Sequence, residues 1–274
     1  MPVTAVDFEY VRQLVADESA LALSDGKEYL VQTRLAPVAE REGLGTVTAL
    51  IAAVRRGAPD LRRQVVEALV THETLFFRDA HPFEVLRDHV IPEVLRANGG
   101  HRLSLWSAAT ATGQEAYSLA LLVHDHFPEV TNLTLLASDL SGQVLTQART
   151  GRFSQLEVGR GLPVSLLVRH FDQHGREWQL HDNIRRMVTF RQLNLAKPLS
   201  GIAPMDVVCL RNVLIYFDET ARSVLLKRVS QIMRPGGYLL LGGTESISGL
   251  GDTYERIQIG RTMLYRRIQE QAGQ

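Results

Sequence analysis

Cysteine is almost absent from this 274-residue chain: Cys209 is the only one. A single thiol can form neither an internal disulfide nor a tetrahedral zinc site, which fits a reducing compartment and gives no reason to expect a metal. An excess of either charge is missing too, with Lys+Arg and Asp+Glu at 30 each. Holding nucleic acid by phosphate neutralisation needs a basic surplus, so no nucleic-acid partner is expected. No apolar run approaches the roughly 18 residues of a membrane span, and Met1 to Asp7 lack the basic and apolar regions of a signal peptide. These absences predict a cytoplasmic protein without membrane insertion.

What is present is an ordinary globular balance, 45% hydrophobic and 22% charged, enough for a sizeable core. Up to about Ala97 the apolar spacing is helical. Phe8 to Val15, Glu28 to Arg41, Val47 to Arg56 and Leu61 to Val70 read as helices, the second stopped by Gly43 and Gly45. From His101 the pattern alternates. Leu103–Ser107, Leu133–Asp139, Met187–Phe190, Met205–Leu210 and Tyr238–Gly242 read as strands, with helices at Glu115–Phe127, Gln143–Thr150 and Thr220–Met233, the last ended by Pro235-Gly236-Gly237. Such alternation predicts a doubly wound α/β sheet, and Arg256–Arg267 suggests antiparallel edge strands. Gly151–Arg186 is too long for a simple connection and reads as a helix near Pro163–Phe171 plus a hairpin at His174-Gly175. Around it, Arg149 to Lys197 holds nine Lys/Arg against four Asp/Glu, a solvated face or a docking surface for an acidic partner.

Ligands of open α/β sheets bind beyond the carboxyl ends of the strands. After the first strand, Ser107–Glu115 offers small residues and Gly113 beside a helix N-terminus. A purely structural tight turn accounts for that loop as well as a ligand does. The second strand ends in Asp139, 26 positions beyond Gly113, where a carboxylate can accept hydrogen bonds from a ribose diol; a helix N-cap is its bland alternative. The full G-x-G-x-x-G fingerprint is missing, so a nucleoside without a pyrophosphate fits better, and S-adenosylmethionine is such a ligand. The fourth strand ends in Arg211-Asn212-Val213-Leu214-Ile215-Tyr216-Phe217, a polar pair followed by aromatics. The Asn/Asp-Pro-Pro-aromatic motif of amine methyltransferases is absent there. Earlier, Thr71–Asp79 places Phe76 and Phe77 beside Arg78, an unusual group for a linker. His124 and His126 stand two apart on a helix and do not face each other, so they suggest no metal, and Cys209 reads as core.

Five ordered signatures resemble the chemotaxis receptor methyltransferase family (CheR). They are His72-Glu73-Thr74-x-Phe76-Phe77-Arg78; Trp106-Ser107-Ala108-Ala109-x-x-x-Gly113-x-Glu115-x-Tyr117-Ser118; Ala137-Ser138-Asp139-Leu140; Asn194-Leu195; and Arg211-Asn212-Val213-x-Ile215-Tyr216-Phe217. Gly242-x-x-Glu245-Ser246 follows. The resemblance implies a small all-α N-terminal domain at 1–80, a linker at 81–100, and a Rossmann-like methyltransferase domain at 101–270 with a small β-subdomain inserted near 151–186. It implies that S-adenosylmethionine, leaving as S-adenosylhomocysteine, contacts His72, Thr74, Arg78, Gly113, Glu115, Asp139, Asn194, Leu195, Asn212 and Val213. Arg78 and Tyr216 are the implied catalytic residues. Arg78 would orient a carboxylate, the substrate's or the donor's, and Tyr216 would stand near the transferred methyl.

The implied reaction is protein-glutamate O-methylation, with the cytoplasmic helical region of chemotaxis receptors as partner. The hairpin Asp172–Glu177 looks short, which argues against docking of a receptor tail peptide. Gln114 replaces the first of two adjacent acids found in the family, and His72 stands where some members have Asn. The rival readings are a methyltransferase acting on a small molecule or RNA and a non-catalytic S-adenosylmethionine sensor.

Overall fold

The computed structural model describes residues 3–268. The domain bounds expected from sequence therefore include residues 1, 2, 269 and 270 that lie outside the described ones. By contacts the chain divides into two units.

The first unit holds residues 3–71 together with Asn194–Lys197 and Ile215–Arg222. Its helices are α1 (Ala5–Ser19), α2 (Glu28–Arg41), α3 (Val47–Arg55) and α4 (Pro59–Leu69). Local sequence explains their ends. The Thr4 and Thr46 hydroxyls accept from the Asp7 and Ala49 amides as N-caps, and Pro59 opens α4, where no amide donor is needed. Val11, Leu14, Val31, Leu35, Leu50, Ile51 and Val65 recur at helical spacing and are buried. The later segments are stitched on by backbone pairing: Leu21 bridges Phe217, and the Ala22 amide donates to Tyr216 O at 2.9 Å.

The second unit is the α/β body. It begins with α5 (His81–Val85), one π-helical turn (Leu86–Val90) and α6 (Ile91–Ala97). This corrects the linker expected at 81–100. Phe83, Leu86, Val90 and Ile91 are core residues, and the prolines Pro82 and Pro92 that looked like punctuation sit in the first turns of the two helices, where proline is tolerated.

Then come β1 (Arg102–Ala108), α7 (Gln114–His126), β2 (Asn132–Asp139), α8 (Gly142–Thr150), the insertion, β6 (Val188–Gln192), β7 (Met205–Leu210), α12 (Glu219–Ile232, whose last ten residues belong here), β8 (Met233–Leu241), β9 (Tyr254–Ile259) and β10 (Thr262–Arg267). The seven strands lie in the order β6-β2-β1-β7-β8-β10-β9, parallel up to β8 and antiparallel at β10 and β9. The edge strands expected in Arg256–Arg267 are thus present. Pro235-Gly236-Gly237 lies within the β8 stretch rather than after the helix, because α12 already ends at Ile232. All six residues of β7 are buried, as a strand covered on both faces must be.

The insertion holds β3 (Arg152–Ser154), α9 (Gln155–Val158), α10 (Val164–His170), β4 (Phe171–His174), β5 (Glu177–Leu180) and α11 (Asp182–Arg185). Its three strands form a separate antiparallel sheet, β3-β5-β4. Phe153 and Phe171 from this sheet meet Phe76 edge-to-face at 4.9 and 5.9 Å, so the insertion shares the core of the body.

Candidate functional site

The loops leaving β1 and β7 and the segment before α5 share one property. Of the seven non-glycine residues with positive φ among those described, six fall in three short segments: Phe77, Asp79 and Ala80; Ala109 and Ala111; and Asn212. Each such backbone costs on the order of 1–3 kcal/mol and persists only where surrounding contacts fix it. Those contacts are identifiable here.

After β1, the loop folds over the end of β2. The Thr110 amide donates to Ser138 O at 2.9 Å. The Ala111 amide donates to Asp139 Oδ2 at 2.9 Å, and the Ser141 amide to Asp139 Oδ1 at 3.0 Å. Each carboxylate oxygen therefore accepts one backbone N–H and keeps one lone pair. Helix α8 is capped by Ser141, whose hydroxyl accepts from the Val144 amide, so Asp139 is not the cap. His72 Nε2 stands 3.7 Å from Asp139 Oδ1. Gly113 takes φ +94° at the start of α7, and a Cβ there would press on Ala148 and Tyr117 at 3.1 and 3.3 Å. Its smallness serves the turn and the helix packing.

The segment bearing Arg78 is held from below. The Phe77 amide donates to Ser118 Oγ at 2.9 Å, and Ser118 in turn donates to Gln114 O at 2.7 Å. Arg211, at the end of β7, completes the hold. Its Nη2 donates to Arg78 O at 2.9 Å and to Asp79 Oδ2 at 2.7 Å, and its Nη1 reaches Glu115 Oε2 at 3.2 Å. Glu115 Oε1 accepts from Ser107 Oγ at 2.8 Å. The Arg211 side chain is only 2% exposed, with its guanidinium 5.6 Å from the Phe83 ring centre. Burial pushes the Glu115 carboxyl above its ordinary value, and Arg211 and Ser107 pull it back. Cys209 is a buried core residue, and that burial raises its thiol well above its usual range.

Glu245 fixes the third segment. Its Oε2 accepts from the Asn212 and Gly242 amides, both at 2.7 Å. A Cβ on Gly242 would lie 2.7 Å from Asn212 Nδ2 and 2.8 Å from Glu245 Oε2, so this close approach requires glycine. Arg78 and Asn212 line one cleft of about 280 Å³ with Gly242, Thr244 and Glu245.

Two buried acceptors on these loops make no hydrogen bond among the described residues: Thr110 Oγ1 and Asn212 Oδ1. Buried polar atoms normally have partners, so each is suited to a ligand donor. Together with the remaining lone pairs on Asp139, the chemistry fits S-adenosylmethionine, which offers ribose hydroxyls, an ammonium and an adenine amine.

The second unit thus brings together His72 with Asp139, Glu115 with Arg211, and Arg78 with Asn212; half-buried Thr74 and buried Val213 stand in the same segments. The remaining expected residues belong to the first unit. Asn194 Nδ2 donates to Glu18 O at 2.6 Å, and its Oδ1 accepts from the Ala196 amide. Leu195 is buried, and Tyr216 is half-buried with its carbonyl held by Ala22. Arg211, Asp79, Ser107 and Glu245 were not assigned roles from sequence. A charged arginine leaving a nearly all-apolar strand was the available signal for Arg211.

Residues 6–70 match the family model "CheR methyltransferase, all-alpha domain", and residues 72–263 match "CheR methyltransferase, SAM binding domain". The chain is 40% identical to chemotaxis protein methyltransferase 1 of Pseudomonas aeruginosa, over 97% of this chain and 99% of that protein. It is 41% identical to chemotaxis protein methyltransferase Cher2 of Pseudomonas putida, over 95% and 98%, and 35% identical to chemotaxis protein methyltransferase 1 of Vibrio cholerae, over 96% and 98%. No described helix is long and apolar enough to cross a membrane. With both family models matched in order along the chain, the protein belongs to the CheR methyltransferase family.

Proposed function

We propose that the protein methylates glutamate carboxylates in the cytoplasmic helical region of chemotaxis receptors, and that it works in the cytoplasm. The observation that carries this reading is the paired match of an all-α domain at 6–70 and a donor-binding domain at 72–263, with the arginine-anchored segment bearing Arg78 at its start.

Bound in the site, S-adenosylmethionine supplies an electrophilic sulfonium methyl group. A glutamate carboxylate, with a reference pKa of about 4.3, is already ionised at neutral pH and needs no base. The protein's task is alignment and exclusion of water. Asp139 accepts the ribose hydroxyls. Asn212 Oδ1 and Thr110 Oγ1 accept N–H or O–H groups of the donor. Glu115, with the lone pairs that Ser107 and Arg211 leave, faces its polar part, and Gly113 opens the helix beside it. Arg78 presents a planar fork to a carboxylate. His72, Thr74, Asn194, Leu195 and Val213 complete the donor contacts that the family resemblance assigns. The family resemblance assigns Tyr216 a hydrogen bond near the reacting centre. The four-residue strands β4 and β5 turn at Gly175, which favours a receptor recognised without a tail peptide.

The test is incubation with methyl-labelled donor and membranes from the source organism. Base-labile label on a receptor-sized band, released as methanol, supports the reading. Base-stable label points to nitrogen methylation, and donor binding without single-turnover transfer points to a sensor. Tyr216→Phe should lower turnover while leaving donor affinity unchanged; a normal rate removes Tyr216 from the reaction.

A further inference from the structure

We propose that His124, Asp125 and His170 form a zinc(II) site, separate from the donor site, that clamps the base of the inserted sheet to α7. His124 and Asp125 lie at the carboxyl end of α7, the opposite end from Glu115. His170 is the last residue of α10 and immediately precedes β4. One ligand atom from each residue falls within 4.8 Å of the others. His124 Nδ1 and His170 Nε2 stand 3.0 and 2.9 Å from the same oxygen, Asp125 Oδ1.

The geometry at His170 points to a metal. Its ring is 3% exposed, and Nε2 is buried without an aligned hydrogen bond, although a carboxylate oxygen lies 2.9 Å away. A zinc ion about 2.0–2.1 Å from both atoms would sit about 45° off the line joining them, within reach of both at their present separation. His124 is exposed enough for its ring to swing in and bring its nitrogen to the roughly 3.4 Å that tetrahedral zinc ligands keep from one another.

The surroundings match a supported metal site. Arg169 Nη1 donates to Asp125 Oδ2 at 2.8 Å, fixing the carboxylate and leaving Oδ1 for the ion. The Asn183 side-chain amide, on α11 beyond β5, lies 3.3 Å from His124 Nε2. Turned over, that amide accepts the Nε2–H of a metal-bound ring, the usual partner of a ligating histidine. Two imidazoles and one carboxylate select zinc over magnesium or calcium. His126, the other member of the H-x-H pair, lies outside the cluster; the real partner of His124 is 46 positions further on.

The full-length protein, stripped with chelator and desalted, would be titrated with zinc chloride by calorimetry, and its metal content measured after gel filtration. One tightly bound zinc per chain is expected, absent in His124→Ala and Asp125→Asn and weakened roughly tenfold in Asn183→Ala. Zinc should slow proteolysis within 171–180 in the unaltered protein and not in His124→Ala. His124 is exposed, so its replacement keeps the fold, which circular dichroism verifies. Equal zinc affinity in the His124→Ala and unaltered chains, or no stoichiometric zinc in the latter, overturns the proposal and leaves the cluster an ion-pair hub.

Discussion

Replacing Arg211 by methionine tests whether the donor site depends on one buried cation. Methionine keeps most of the packing against Phe83 and removes every polar contact. Three contacts are lost: to Arg78 O, to Asp79 and to Glu115. Glu115 is then left buried with only the Ser107 hydroxyl. Removing one partner of a buried pair costs about 3–5 kcal/mol, because the survivor stays desolvated. At roughly 2–4 °C per kcal/mol for a body of this size, the melting temperature should fall by about 6–20 °C. Adding Glu115→Gln removes the stranded charge, so the double variant should melt above Arg211→Met alone. Arg211→Lys should fail to restore function, since one ammonium cannot replace a fork that serves three acceptors. Calorimetry across this set, with methyl-transfer rates, is the assay. If Arg211→Met melts within about 1 °C of the parent, or if the double variant melts lower than the single, the pair is not what holds the segment at Arg78.

Three further outcomes are expected. Asp139→Ala should raise the donor dissociation constant by at least about tenfold, equivalent to about 1.4 kcal/mol, and calorimetric titration checks it; unchanged affinity ends its ribose role. Gly242→Ala should weaken donor binding while the rest of the body stays folded, because the added Cβ displaces Asn212 and Glu245; equilibrium dialysis against circular dichroism separates the two effects. Burial and the Glu93 carboxylate push the Tyr238 hydroxyl up to about 12. A raised folded value means its contribution is intact below the unfolded value of about 10 and is lost as pH rises from there to about 12. Tyr238→Phe should flatten that alkaline limb in a stability-against-pH series, and an unaltered limb would refute the assignment.

Much of this architecture is legible in the sequence because its signals are local. The bounds of α2 follow from apolar spacing and the glycines after it, and β7 follows from a run that is apolar except at Asp206. The helices at 81–97 were hidden because they are short and carry prolines in their first turns. The site is legible only in part. Asp139 stands where a strand end places it. Ala109 and Ala111 carry left-handed backbones that no alanine announces, since contacts 28 positions away impose them. Arg211 gathers partners 96 and 132 positions distant, which periodicity cannot see. The cluster at His124 escaped for the same reason.

The insertion leaves and rejoins the body at almost one point. Leu180 N donates to Gly151 O at 2.9 Å, and Arg185 Nη1 and Gln179 Nε2 both donate to Thr150 O at 2.8 Å. Its far end, at Gly175, is open, with nothing within 4 Å of an added Cβ. A sheet sealed at its root and free at its tip can gain residues at the tip at little cost, since loop closure grows only slowly with length. The feature therefore separates two histories within one chain. The strand ends around Asp139 and Asn212 are locked by distant contacts, whereas the hairpin tip can lengthen, shorten or change its charge without disturbing them.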